Sequence, residues 1–351
     1  MRTQIFVMTH RKFNIPLEPF YVPLHVGRAV AEDLGYLGDD MGDSISEFNK
    51  YYGELTGLYW LWKNYHDVDV IGICHYRRYF LNDKGQLMTQ EEYEQVMTEA
   101  DIMVSNTVRV EQTYKDFYAE AHNVDDLLMT GEVIKELYPE DYPAFCKVIE
   151  GNECYFGNLC VTTKKIFDEY CEWLFSIFSV LADRLDVSTY DAYHQRIFGF
   201  LSENLLKVYI VARDLKVKEG KIGITSEKAE TIEFKLAIGQ LVKMGEFSQA
   251  REMFYEYQKI RPDVRLEVSD LKQEIPDIEL ILNILEQEEL RGLQGFYAVS
   301  HNLPTLIEHF RFLREIVRKE KMGFALNDEE QQYLKDKYVT EIAREVIRIN
   351  L

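Results

Sequence analysis

The sequence offers little for covalent or metal-built scaffolding. Its five cysteines (74, 146, 154, 160 and 171) are odd in number, include no C-x-x-C pair and accompany no His cluster at zinc spacing. They read as reduced core thiols of a cytosolic protein. Cations are also in deficit, with 40 Lys and Arg against 60 Asp and Glu for a net charge of −20. That argues against a general nucleic-acid binder, because neutralising phosphates takes a surplus of Lys and Arg. No apolar run reaches the ~18 residues of a membrane span, and the run within Met1–His10 is too short for a signal peptide. The expected location is therefore cytoplasmic, with any membrane association peripheral and at the inner face. Also missing are a Gly-rich dinucleotide fingerprint, a P-loop and a G-x-S-x-G elbow, which disfavours NAD enzymes, kinases and α/β-hydrolases.

What is present suits an ordinary globular protein: 46% hydrophobic and 28% charged residues over 351 positions, enough for a real core and for two domains. Aromatic residues are unevenly spread, since all three Trp and 18 of the 23 Tyr precede residue 226. The expected division is 1–225 and 226–351.

In the first part, apolar β-branched runs alternate with helical patterns. Strands are expected at Gln4 to Met8, Tyr21 to Val26, Asp69 to Cys74, Ala100 to Ser105 and Leu159 to Thr162. Helices are expected from G-D-S-I-S-E-F-N onward, capped by Ser44 or Ser46, and at Gln90 to Thr98, Val124 to Leu137, Lys164 to Leu181 and Tyr190 to Tyr209. This order predicts an α/β sheet, mostly parallel and covered on both faces. Ligands of such sheets sit beyond the carboxyl ends of the strands, which directs attention to Thr9-His10-Arg11-Lys12, His75-Tyr76-Arg77-Arg78 and Ser105-Asn106. After 226 the pattern is helical throughout. Ala237, Leu241, Gly245-Glu246-Phe247, Ala250, Phe254 and Pro262 match one tetratricopeptide-like hairpin, with further helices near Ile278 to Glu289, Pro304 to Lys319 and Asp328 to Ile349. One hairpin cannot bury its own face, so a small helical bundle is expected.

The sharpest local signal is H-Y-R-R-Y-F after an apolar strand. His75, Arg77 and Arg78 form a fixed positive cluster suited to a diphosphate, although in so acidic a chain an arginine also finds local carboxylates. Asp39, Asp40 and Asp43 suit either Mg²⁺ or Mn²⁺ or a plain turn before a helix cap, and the segment lacks the glutamate of a calcium loop. Asn49 opens an aromatic helix whose Leu55, Leu58 and Trp62 are core, and that helix also carries Glu54, Lys63 and Asn64. Asp191 stands at a helix start as either a first-turn acid or a general base, with His194, Gln195 and Arg196 within a turn of it. Asn152 and Asn158 bracket E-C-Y-F-G as sugar contacts or as turn residues.

Taken together, T-H-R-K, G-D-S-I-S-E-F-N-K-Y-Y-G-E-L-T-G-L-Y-W-L-W-K-N, G-I-C-H-Y-R-R-Y-F, F-D-E-Y-C-E-W-L-F and Y-D-A-Y-H-Q-R-I-F-G-F-L-S-E resemble the uncharacterised-domain family of bacterial capsular and exopolysaccharide biosynthesis glycosyltransferases, whose relatives include galactofuranosyltransferases. The resemblance covers about residues 3 to 220. It implies a GT-A-like, Rossmann-type domain that transfers a sugar from a nucleotide donor, expected to be UDP-linked, to a glycan or lipid-linked acceptor. On this resemblance Thr9, His10 and Lys12 lie near the nucleotide, His75, Arg77 and Arg78 hold the diphosphate where many such enzymes place a D-x-D motif, and Asn49, Asn158, Gln195 and Arg196 complete the donor site. Asp191, His194 and Arg77 carry the catalytic roles, with Asp191 as base if the reaction inverts. Transfer is expected to need no metal, or to depend weakly on Mn²⁺ or Mg²⁺, with Asp39, Asp40 and Asp43 as the alternative ligands. Ser44, Phe48, Leu159-Cys160 and Asn204 depart from the family pattern and bear on donor identity. The helical tail lies outside the matched region and is a candidate for carrier binding or for homo-oligomer formation. Two other readings stay open: a non-catalytic glycan-binding or scaffolding protein, and a transferase acting on a protein acceptor.

Overall fold

The computed structural model describes residues 1–261 and 269–351, and the chain divides into two compact units, Met1–Thr225 and Ser226–Leu351. The first unit is built on strands β1 (Thr3–Thr9), β2 (Tyr21–His25), β3 (Leu37–Gly38), β4 (Val70–His75), β5 (Arg78–Leu81), β6 (Ile102–Ser105), β7 (Val108–Arg109), β8 (Glu153–Cys154), β9 (Cys160–Thr163) and β10 (Val217–Ile224). Its helices are α1 (Asn49–Tyr52), α2 (Leu55–Asn64), α3 (Gln90–Glu99), α4 (Tyr114–Ala121), α5 (Val124–Leu137), α6 (Tyr142–Glu150), α7 (Lys164–Arg184) and α8 (Ile197–Ala212).

Strands β3, β2, β1 and β4 lie side by side in parallel. Strand β9 then runs antiparallel between β4 and β6, while β10 pairs parallel with β6 and antiparallel with β5. Six strands of this sheet therefore point one way and only β5 and β9 oppose them, in keeping with the mostly parallel expectation. Both faces are covered, since one apolar cluster includes Phe6, Leu58, Ile73, Trp173 and Leu205 and the other includes Ile5, Val7, Tyr21, Phe80 and Tyr93. Period-2 alternation puts Phe6 on one face and its neighbours Ile5 and Val7 on the other.

Two expected helices differ in form. The segment after Ser44 is broken into a 3-10 turn at Ser46–Phe48, then α1, then α2, because Gly53 between the helices adopts φ 55°. Ser44 Oγ accepts the Ser46 N–H that opens the turn at 3.0 Å and donates to the Asp39 carbonyl, while the Ser46 hydroxyl caps nothing and donates to Asp39 Oδ1 at 2.5 Å. The helix expected from Tyr190 begins only at Ile197, after 3-10 turns at Val187–Thr189 and His194–Arg196. Both irregularities free polar side chains for other work.

The second unit contains α9 (Ala229–Met244), α10 (Phe247–Ile260), α11 (Glu274–Leu290), α12 (Gly295–Val299), α13 (Leu303–Lys321), α14 (Asp328–Asp336) and α15 (Glu341–Ile349), with no strand among its described residues. Its own core gathers Phe234, Phe254, Ile281, Leu285, Phe310 and Ile347. The α9–α10 hairpin turns at Gly245, whose φ of 81° suits a residue without Cβ; Pro262 of the expected pattern lies outside the described residues. The single helix expected over Asp328 to Ile349 is two, because Thr340 caps α15 at Ala343 N and donates to buried Glu288 at 2.5 Å. Lys235 Nζ sits among Glu227, Asp270 and Glu274 at 2.9, 2.6 and 2.7 Å, so an ammonium already neutralises that acidic group.

Candidate functional site

Strands β1, β2, β4 and β6 deliver Thr9, His25, His75 and Ser105 to one edge of the sheet, where β5 and β9 begin. Only Tyr76 and Arg77 separate the end of β4 from the start of β5, so this tight reversal stacks His75, Arg77 and Arg78 together. Arg77 is 4% exposed and Arg78 is half-buried. Burial and the guanidiniums of Arg78, Arg77 and Arg196 push the His75 pKa down to about 4, against the pull of Glu54. The imidazole is therefore neutral at physiological pH, and the positive charge belongs to the arginines.

Glu54 is the carboxylate of this cluster. The break at Gly53 lifts it from the helix surface toward Asn158, whose Nδ2 donates to Glu54 Oε1 at 2.9 Å, while Arg196 Nη2 stands 4.0 Å from Oε2. Burial opposes its ionisation, but the Arg196 guanidinium and the Asn158 amide win and lower its pKa. Asn158 holds a left-handed φ of 52°, is 5% exposed, and keeps Oδ1 buried without a hydrogen-bond partner. The neighbouring Gly157 donates its N–H to Glu203 at 2.9 Å, and a Cβ there would come within 2.5 Å of Arg78 Nη1. The turn before β9 thus seats the guanidinium of Arg78. His75 Nε2 and both ring nitrogens of His25 are likewise buried with no partner among the described residues. Such orphaned polar atoms at one edge mark a place where a ligand or water completes the bonding.

The other sequence candidates divide. Thr9 is buried and its hydroxyl closes a local turn onto the Arg11 carbonyl at 2.6 Å, while Lys12 is exposed. His10 is exposed and meets Tyr76 edge-on at 5.4 Å, and Phe13 approaches both Tyr76 and Tyr36, giving an aromatic wall beside the cluster. Asn49 is turned to structural work, donating to the Gly53 carbonyl and Thr56 Oγ1 at 2.7 and 3.1 Å. Among the described residues each of the three aspartates has protein partners of its own. Asp39 accepts from Gly27 N, Arg28 N and Ser46 Oγ, Asp40 pairs with Arg28 at 2.6 Å, and Asp43 accepts from Tyr59 at 3.0 Å. The sequence brings up Glu54 and Tyr76 without giving either a role, and does not single out Glu203. The Gly53-Glu54 helix break was the available signal for the first.

Asp191 and His194 lie on the irregular segment before α8. Asp191 Oδ1 accepts from Tyr193 N and His194 N at 2.9 and 3.0 Å, and Oδ2 stands 2.6 Å from His194 Nδ1. Burial opposes these bonds, yet they lower the Asp191 pKa. His194 Nε2 faces the Ala121 carbonyl at 2.9 Å. That geometry holds the His194 ring between Asp191 and the Ala121 carbonyl. Gln195 donates to the Tyr190 carbonyl at 3.1 Å, away from the cluster that Arg196 reaches.

Residues 4–214 match the family model described as "Domain of unknown function (DUF4422)". A solved apo structure of the bifunctional glycosyltransferase WbbM is similar to the chain at a TM-score of 0.58 and 30% identity, over 65% of this chain and 46% of that one. This chain thus matches less than half the length of that protein. A search of curated proteins finds no match. No described helix is long and apolar enough to cross a membrane.

Proposed function

The chain belongs to the DUF4422 family, and from that premise we propose that it is a glycosyltransferase using a nucleotide-sugar donor. The observation that carries this reading is the arginine pair fixed at the end of the central strand, with orphaned buried acceptors and donors around it. A diphosphate leaving group gains charge as the glycosidic bond breaks, and preorganised guanidiniums at that point stabilise the transition state more than the ground state. Arg77 and Arg78 take that part, neutral His75 adds one hydrogen bond, and Glu54 holds Arg196 in reach. The wall of His10, Phe13 and Tyr76 offers a stacking surface for the base, expected to be uracil. In this reading the first unit is GT-A-like, the arginines do the charge neutralisation that a metal supplies elsewhere, and transfer depends weakly or not at all on Mn²⁺. If the reaction inverts, Asp191 is the proposed base, already ionised across the physiological range. The acceptor is proposed to be a glycan or lipid-linked sugar of capsule or exopolysaccharide synthesis. The helical unit is the proposed carrier- or partner-binding part and is tetratricopeptide-like in its first hairpin.

Thermal shift and donor hydrolysis with UDP-, GDP-, CMP- and dTDP-sugars, each in EDTA and in Mn²⁺, test this. The expected result is stabilisation by one nucleotide class in EDTA, and a loss of about 100-fold in kcat/KM for Arg78→Ala. Arg78 is the cleaner probe because Arg77 is buried and its replacement also disturbs packing. No binding of any donor, or full activity in Arg78→Ala, would overturn the reading.

A further inference from the structure

Away from the arginines, the first unit holds a cavity of about 290 Å³ between the α4–α5 junction and the irregular segment before α8. That is the small end of the roughly 300–1,000 Å³ typical of small-molecule sites, room for a single sugar-sized ring. Its walls bring together Asp126, Asp191, Asn123 and Tyr190 with the rings of His122 and Phe200. The two rings stack with centroids 4.2 Å apart, and Tyr118 and Tyr193 brace them at 4.8 and 5.0 Å. The apolar wall is therefore fixed in advance.

Asp126, in the first turn of α5, is 2% exposed, yet its hydrogen bonds come from neutral donors. The Tyr190 hydroxyl lies 2.8 and 3.0 Å from its two oxygens and Asn123 Nδ2 lies 3.4 Å from Oδ1. One hydroxyl proton serves one oxygen at a time, so acceptor capacity is left over in a buried carboxylate. Burial raises its pKa, with the Tyr190 bond opposing. The lining holds two carboxylates and the His194 ring but no arginine, which sets this cavity apart from the arginine cluster. A ligand with hydroxyl donors on its edge and C–H groups on its face satisfies both the acids and the rings.

We propose that this cavity binds one neutral pyranose ring of a glycan, its hydroxyls donating to Asp126 and Asp191 and its C–H face lying on the His122–Phe200 pair. That the glycan is the acceptor rests on the transferase reading above; that the cavity binds sugar does not.

Saturation-transfer NMR of the full chain tests this with the methyl pyranosides of glucose, galactose, mannose, N-acetylglucosamine and rhamnose, and with UDP in a parallel arm. At least one pyranoside is expected to bind, and Asp126→Asn and Tyr190→Phe are expected to weaken it about fivefold or more while UDP contact is unchanged. Tyr190→Phe removes a single oxygen and stays informative if Asp126→Asn fails to fold. Pyranoside binding that both variants leave intact, or no binding of any of these pyranosides, overturns the proposal. A UDP arm that alone shows no contact removes uracil as the donor base and leaves this proposal standing.

Discussion

His75 sits where three guanidiniums and burial disfavour its proton, and only Glu54 draws the other way. With its folded pKa lowered to about 4, the unfolded chain takes up this proton first. The contribution of His75 to stability is therefore complete above the unfolded value near 6.5 and is lost as pH falls from there toward about 4. For ligand binding the consequence is a flat profile. The affinity for UDP-glucose, whose diphosphate diester does not titrate in this range, is expected to stay constant from about pH 6 to 8 by calorimetry. A steady fall in affinity as pH rises through that range would make His75 the binding cation in place of the arginines.

Helices α6, α7 and α8 are tied by one buried carboxylate. Asp141, 1% exposed just before α6, accepts from Trp173 Nε1 on α7 at 2.9 Å and from Arg213 just past α8 at 2.5 and 3.0 Å. Since α8 carries Glu203 at the site and follows directly from Arg196, this tie fixes the far end of the element that shapes the cluster. Arg213→Ala leaves Asp141 buried with one neutral donor and is expected to cost about 2–4 kcal/mol in urea denaturation. A cost below about 0.5 kcal/mol would show that water reaches Asp141 and the tie is ornamental.

Each of the two units has an apolar core of its own, and each is large enough to fold by itself. The fragment 1–225 is expected to be soluble, to unfold cooperatively and to bind UDP as the full chain does, read by circular dichroism and calorimetry. A molten or aggregated fragment would mean that residues 226–351 are part of the first unit's folding and not an appended bundle.

Much of this organisation is local and therefore legible in the chain. Period-2 apolar runs placed β1, β4 and β6, and helical spacing placed α5 to the residue. The H-Y-R-R string is a local signal too, because strand and turn adjoin in sequence. What the sequence could not show depends on distant partners. Strand β10, V-K-E-G-K-I-G-I, has charged, half-exposed residues and becomes a strand only because β5 and β6 offer it two open edges. Asp39, Asp40 and Asp43 look like ligands in a row until Gly27, Arg28 and Tyr59 fold onto them. Glu54, Asn158 and Arg196 lie far apart in the chain and meet only when α2, the turn before β9 and the segment before α8 converge on one edge of the sheet. Periodicity is a property of neighbours and so survives in a sequence, whereas the burial that decides a side chain's charge and partners exists only once the whole sheet has closed.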